Sequence, residues 1–283
     1  MLPEFLKLGQ HAIEQDVFRY LKFSDRPTKL RNVTNKAVLA CTSRTGSSLL
    51  QVSLERYALD PREYMNPEGP ARRFAEERNG ATIADFADHL ATEAVSGDWF
   101  IVKGATNVVL FLYYWRELPE FAQDWKFIFL RRRNIVRQAI SMEIAQRTQR
   151  WTSKMPGQGE VSPDDYSFEA IRRHIQSIFA QNDRWERAFG FLGIDPLRLF
   201  YEDFSARLLE ETERVASFLG IDVARFPGSH EHAIRIDLQS TELNDLWETR
   251  FRSEFAEMVQ DRNRGDRPAV HRPKVRRHQG GRS

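Results

Sequence analysis

The sequence predicts an α/β fold, a central parallel sheet flanked by helices on both faces, on three observations. Short apolar runs of strand length alternate with longer stretches whose apolar residues recur every three or four positions. Two of the runs, residues 37–41 and 125–130, are nearly continuous in apolar character, as strands covered on both faces are. Each ends in a polar cluster that passes directly into a helical pattern, the joint expected where a parallel strand feeds its crossover.

Taken in order, an amphipathic N-terminal stretch (Phe5, Leu6, Ile13, Val17, Phe18, Tyr20, Leu21) precedes the first strand, residues 37–41. Ser43-Arg44-Thr45-Gly46-Ser47-Ser48 breaks that strand, and Leu49, Leu50, Val52 and Leu54 continue as a helix. Residues 71–96 read as one amphipathic helix, in which His89 has a structural role, and residues 99–104 as the second strand. The third strand ends in Arg131-Arg132-Arg133-Asn134, after which Val136, Ala139, Ile140 and Ala145 return at helical spacing. Residues 155–165, with Pro156, Gly157, Gly159 and Pro163, form a loop long enough to act as a lid. A strong helix follows at 167–189, a strand at 197–204, a helix at 206–219 that ends at Gly220, and a last helix at 240–259. There are no internal repeats.

Composition narrows the class. The 283 residues, 41% hydrophobic and 12% aromatic, suffice for one large domain with a substantial core, which we expect to span residues 1–260. The single cysteine, Cys41, excludes an internal disulfide and a cysteine-based zinc site, and its place at a strand end reads as packing. No charged-then-apolar leader and no apolar run of about 18 residues is present, so a cytoplasmic protein without stable membrane insertion is expected. The net charge of +2 is uneven: residues 261–283 hold eight Lys/Arg and two Asp, which leaves the body at −4. A body of that sign argues against a nucleic-acid partner, and the basic tail, poor in apolar residues, reads as disordered.

Two segments carry chemistry. A strand–turn–helix joint aims unpaired N–H groups and the positive helix end at one point, which suits an anion. At residues 43–48 Arg44 adds a cationic fork, while Thr45, Ser47 and Ser48 add hydroxyls around Gly46. An ordinary strand-to-helix connection is the alternative. The segment is not a Walker loop: it has one glycine, serine instead of lysine after it, and arginine two residues before it. In the second segment Arg133 stands at a strand end and Ser141 two helical turns on, so both can reach an anion beside the helix. A solvated basic strand end is the plainer reading, although open α/β sheets bind ligands at that edge.

Together, R-T-G-S-S and R-N-x6-S resemble the two cofactor segments of sulfotransferases that use 3′-phosphoadenosine 5′-phosphosulfate (PAPS). The likeness is in particular to the bacterial carbohydrate sulfotransferase family typified by mycobacterial trehalose 2-sulfotransferase. That family has arginine at the position of Arg44 and the pattern R-R-x-x-x-R-Q-A-[VI]-S, matched by Arg132, Arg133, Arg137, Gln138, Ala139, Ile140 and Ser141. Tyr201-Glu202-Asp203 and the closing Trp247, Arg250 and Phe251 are further likenesses, and A-x-Q-T-G-x-W is matched approximately at 145–151. The resemblance spans roughly residues 36–255.

It implies a P-loop-like three-layer fold and a sulfotransferase that moves a sulfuryl group from PAPS to a hydroxyl of a carbohydrate or glycolipid, leaving adenosine 3′,5′-bisphosphate (PAP). In this reading Arg44, Thr45, Gly46, Ser47 and Ser48 hold the 5′-phosphosulfate, Arg133 and Ser141 hold the 3′-phosphate, and no metal takes part. Arg44 also stabilises charge on the leaving oxygen. The family's P-x-E-[YF]-[FM] element, matched by Pro61, Glu63, Tyr64 and Met65, implies Glu63 as the general base, with a surface glutamate paired to Arg62 as the alternative. Glu55 and Glu68 are weaker competitors. Lys103, at a strand end, and Trp151 are candidate acceptor contacts, and the resemblance implies a homodimer. A P-loop small-molecule kinase and a non-catalytic nucleotide-binding protein of the same fold are the competing readings.

Overall fold

The structure is a computed structural model and describes residues 18–105, 107–115, 124–152, 155–226 and 242–265. Five strands, β1 (Asn35–Cys41), β2 (Val95–Ser96), β3 (Trp99–Gly104), β4 (Trp125–Arg131) and β5 (Leu197–Phe200), form one sheet in the order β2-β3-β1-β4-β5. β1 pairs in parallel with β3 and β4, and β4 in parallel with β5, as the alternating pattern predicts. β2 is an antiparallel edge on β3, with Val95 opposite Phe100. Only Gly97 and Asp98 connect these two strands, and so short a link, with Gly97 at φ +58°, closes a hairpin rather than a crossover.

Nine helices lie among the described residues: α1 (Ser47–Leu54), α2 (Arg72–Glu77), α3 (Ile83–Glu93), α4 (Asn107–Tyr114), α5 (Ile135–Thr148), α6 (Phe168–Leu192), α7 (Tyr201–Ala206), α8 (Leu208–Leu219) and α9 (Glu242–Gly265). Sequence periodicity merges α2 and α3, but the helix ends at Glu77, Arg78 is extended, and Gly80 follows at φ +76°. α3 then restarts on a capping box: the Thr82 hydroxyl accepts from the Asp85 N–H and the Asp85 carboxylate accepts from the Thr82 N–H. The strand predicted over 197–204 stops at Phe200, because Tyr201 opens α7. α4 escapes sequence reading because Val108 to Leu112 are all buried, and a helix apolar all round shows no amphipathic period. The last helix runs to Gly265, past residue 260. The N-terminal stretch before Phe18, the side chain of Glu68 and residues 266–283 of the basic tail lie outside what is described.

Strand alternation divides the interior in two. Val38, Ala40, Phe100, Val102, Phe127 and Phe129 face α3, α4 and α6, while Ala37, Leu39, Cys41, Ile101, Ile128 and Leu130 face α1 and α8. A third cluster joins α5, α6 and α9 through Ala139, Ile140, Ile171, Ile178, Trp247 and Phe251, so the closing Trp and Phe of the sequence motif are core residues. Among the described residues, no helix is long and apolar enough to cross a membrane. The parallel strands all end at one edge, where Cys41, Gly104, Arg131 and Phe200 hand the chain to its connections.

Phe129 is fully buried on the central sheet, its ring 5.3 Å from Phe189 and 6.4 Å from Trp185. Phe129→Ala is expected to cost about 3–5 kcal/mol, read as a lower urea midpoint at unchanged slope. A loss below about 1 kcal/mol would contradict a close-packed core on this face.

Candidate active site

The turn after β1 is built from backbone that most residues avoid. Arg44 lies at φ +66° and Gly46 at φ +87°, both left-handed, so the chain coils tightly before α1 begins. Gly46 has a second constraint: a Cβ there would stand 2.3 Å from Cδ2 of the Tyr201 ring. The first N–H groups of α1, at Ser47 and Ser48, have no intrahelical carbonyl and form the positive end of the helix.

Side chains fix the turn from below. The Gln138 amide, fully buried on α5, donates to the Thr42 hydroxyl at 2.7 Å and to the Ser43 carbonyl at 2.8 Å. The Thr45 hydroxyl donates inward to the Thr42 carbonyl at 2.9 Å, so this predicted ligand braces the loop. One turn beyond Gln138 on the same helix, the Ser141 hydroxyl accepts from Arg44 Nε at 2.9 Å. Arg44 Nη1 donates to the Trp151 carbonyl at 2.6 Å, and the Trp151 indole remains partly exposed. Arg44 and Ser141, predicted at separate ends of one ligand, therefore meet directly.

The arginines after β4 divide their work. Arg132 turns toward the cradle: its Nη1 lies 3.4 Å from the Arg44 carbonyl and its guanidinium sits 4.7 Å over the Tyr201 ring. Arg133 turns to Asp203, in a two-bond pair at 2.7 and 2.5 Å, and lies 4.2 Å over the Phe200 ring. That pairing holds the Asp203 carboxyl below the usual carboxylate range. Glu202 accepts from the Arg133 and Asn134 N–H groups at 3.0 and 3.1 Å, so Tyr-Glu-Asp ties α7 to the start of α5. Burial pushes the Arg44 guanidinium below the ordinary arginine value, and the Arg132 charge pushes it further; burial lowers Arg132 as well.

A second group gathers beside the turn. Lys103, buried at the end of β3, donates to the Gln51 amide oxygen at 2.9 Å and faces the exposed Glu63 carboxylate at 3.3 Å. Arg62 instead pairs with Asp60, which removes the plainest alternative partner of Glu63. The Cys41 thiol adjoins both groups: burial pushes it up to about 11, opposed by the Lys103 charge and by hydrogen bonding to Ser47 and Thr45. Glu63 also walls a cavity of about 430 Å³ with Tyr64, Asn66, Phe74 and His89. His89 stacks on Phe74 at 5.0 Å. Glu55 is exposed at the far end of α1.

Gln51, Arg132, Gln138 and Tyr201 join the candidate site without being expected there from sequence. Arg132, Gln138 and Tyr201 lie within the motifs given above, whereas Gln51 carries no such signal. Among the described residues, no group of three or more His, Cys, Asp or Glu could hold a metal ion.

Gly46→Ala tests the turn. The methyl group must displace Tyr201 and occupy a positive φ, so we expect a loss of roughly 1–3 kcal/mol by thermal melting. An unchanged melting temperature would show that Tyr201 does not pack on the turn.

Residues 119–254 match the family described as Stf0 sulphotransferase. That stretch contains Arg132, Arg133, Gln138, Ser141, Trp151 and Tyr201, whereas Arg44 and Glu63 precede it. Among solved structures, the chain is similar to the sulfotransferase domain from the Synechococcus PCC 7002 olefin synthase, at 15% identity and a TM-score of 0.43, over 83% of this chain and 98% of that one. No curated protein matches the sequence. The match over residues 119–254 supports a sulfotransferase family for this chain.

Proposed function

We propose that this chain transfers a sulfuryl group from PAPS to a hydroxyl of a carbohydrate or glycolipid, with Glu63 as general base. The observation that carries the reading is the 2.9 Å bond from Arg44 to Ser141, which joins the turn after β1 to the helix of the matched stretch at one point. The residues fit an anionic donor: two partly buried guanidinium groups, the open end of α1 and the Tyr201 ring surround a single turn.

The chemistry follows from those groups. PAPS, when bound, supplies the sulfuryl group and a phosphate leaving group. Arg44 and the N–H groups of Ser47 and Ser48 stabilise the charge left on the phosphate oxygen as its bond to sulfur breaks. Glu63 takes the proton from the acceptor hydroxyl as that oxygen bonds to sulfur. Lys103, which donates to Gln51 at 2.9 Å, holds the base at the cradle's edge from 3.3 Å. The cavity beside Glu63, with its stacked Phe74 and His89 rings and polar rim, suits a polyhydroxylated ring. A kinase reading is weaker, because Ser47 stands where a Walker loop has its phosphate-binding lysine.

PAP is expected to raise the melting temperature in EDTA, whereas ATP–Mg²⁺ is not; stabilisation by ATP–Mg²⁺ alone would favour the kinase reading. With labelled PAPS and a panel of sugars and lipid extracts, Glu63→Gln is expected to lose about 10²–10⁴ in rate while PAP still binds. A fully active Glu63→Gln enzyme would remove the base assignment.

A further inference from the structure

The geometry points to Arg132 as the second anion-gripping arginine of the cradle, opposite Arg44, with the oxyanion of a phosphate or sulfate ester held between the two guanidinium groups. This deepens the sulfotransferase reading, on which the identity of the ester rests, but the oxyanion site itself stands on the geometry alone. Arg133, at the next position, is spent on its two-bond pair with Asp203 at the surface. Arg132 is largely withdrawn from solvent, with 12% of its side chain exposed.

Two features aim Arg132 at the turn, and a third leaves one of its donors unmet. Its Nη1 lies 3.4 Å from the Arg44 carbonyl, the backbone oxygen of the left-handed residue. Its guanidinium is stacked 4.7 Å over the Tyr201 ring, the same ring that covers Gly46, so the stem is held between α7 and the turn. Its Nε is buried and finds no hydrogen-bond acceptor among the described residues. The carboxylate closest to answering its charge is Glu202, 3.9 Å away, and both Glu202 oxygens already accept from backbone N–H groups at the start of α5.

Electrostatics agree with the placement. Arg44 and Arg132 are like charges sunk side by side, and each is pushed toward its neutral form by loss of water. Two such groups repel, and an anion lying against the Arg132 fork offsets that repulsion. A planar fork suits the task, since two parallel N–H donors match two oxygens of a tetrahedral ester.

The test is isothermal titration of the full chain with two probes, PAP and inorganic pyrophosphate, the second independent of any nucleoside. Arg132→Ala is expected to weaken both by about 10- to 100-fold, the value of a lost charge-assisted pair. Arg132→Lys, which keeps the charge without the fork, should recover part of the loss. Arg131→Ala removes an equal charge one residue away, from a side chain paired with Glu186 at 3.3 Å, and should change either affinity by no more than about twofold. Should Arg132→Ala fail to fold, Arg132→Met keeps a stem over Tyr201 and carries the same expectation. Unchanged pyrophosphate affinity in the Arg132 variants, or an equal loss in Arg131→Ala, overturns the assignment. Pyrophosphate binding that depends on Arg132 while PAP does not bind leaves Arg132 in place and removes the PAPS reading. A wild-type chain that binds neither probe overturns both.

Discussion

Two hydrogen bonds from the Gln138 amide to Thr42 and Ser43 hold the turn on which everything else in the site is hung. Arg44 occupies a left-handed conformation that a non-glycine residue adopts only at a cost of roughly 1–3 kcal/mol, so the surroundings must impose it. The amide supplies that constraint from a helix packed into its own core with α6 and α9. Because Gln138 and Ser141 share one face of α5, the helix that fixes the backbone also receives the Arg44 side chain. Backbone and side chain are thus positioned by a single rigid body.

Half-buried like charges are costly to a folded chain, and here they stand at the carboxyl edge of a parallel sheet. The structure offsets part of that cost locally: Tyr201 lies against the Arg132 guanidinium, and Glu202 lies within 3.9 Å of it. Lys103 is treated differently, since Glu63 and Gln51 engage its ammonium directly. One side of the turn is therefore rich in positive charge and the other nearly balanced. That asymmetry suits an anionic donor on one side and a neutral hydroxyl acceptor on the other.

Much of this was legible in the sequence, and the remainder has physical reasons. β1, β3 and β4 could be read because strands covered on both faces must be continuously apolar, and the turn because Gly46 and the paired serines interrupt that run. α4 could not, because burial on every side removes the period that marks a helix. The split between α2 and α3 rests on an extended Arg78, a left-handed Gly80 and the Thr82 cap, within an otherwise amphipathic stretch. In the candidate site, the spacing of Arg133 and Ser141 points to the helix that carries Gln138 and Ser141. Which of three consecutive arginines turns inward depends on Asp203 and Tyr201, some seventy residues away, and no local pattern encodes that choice.

β5 passes into α7 with no intervening residue, Phe200 ending the strand and Tyr201 opening the helix. The aromatic cover of the turn is thereby geared to strand alignment: Arg131 sits opposite Phe200, and a slip of one position would swing Tyr201 to the other face of the sheet. Changes in the alignment of β5 would then be felt as an uncovered glycine at the turn. Edge-strand alignment in this chain thus bears on the shape of the turn as much as on folding.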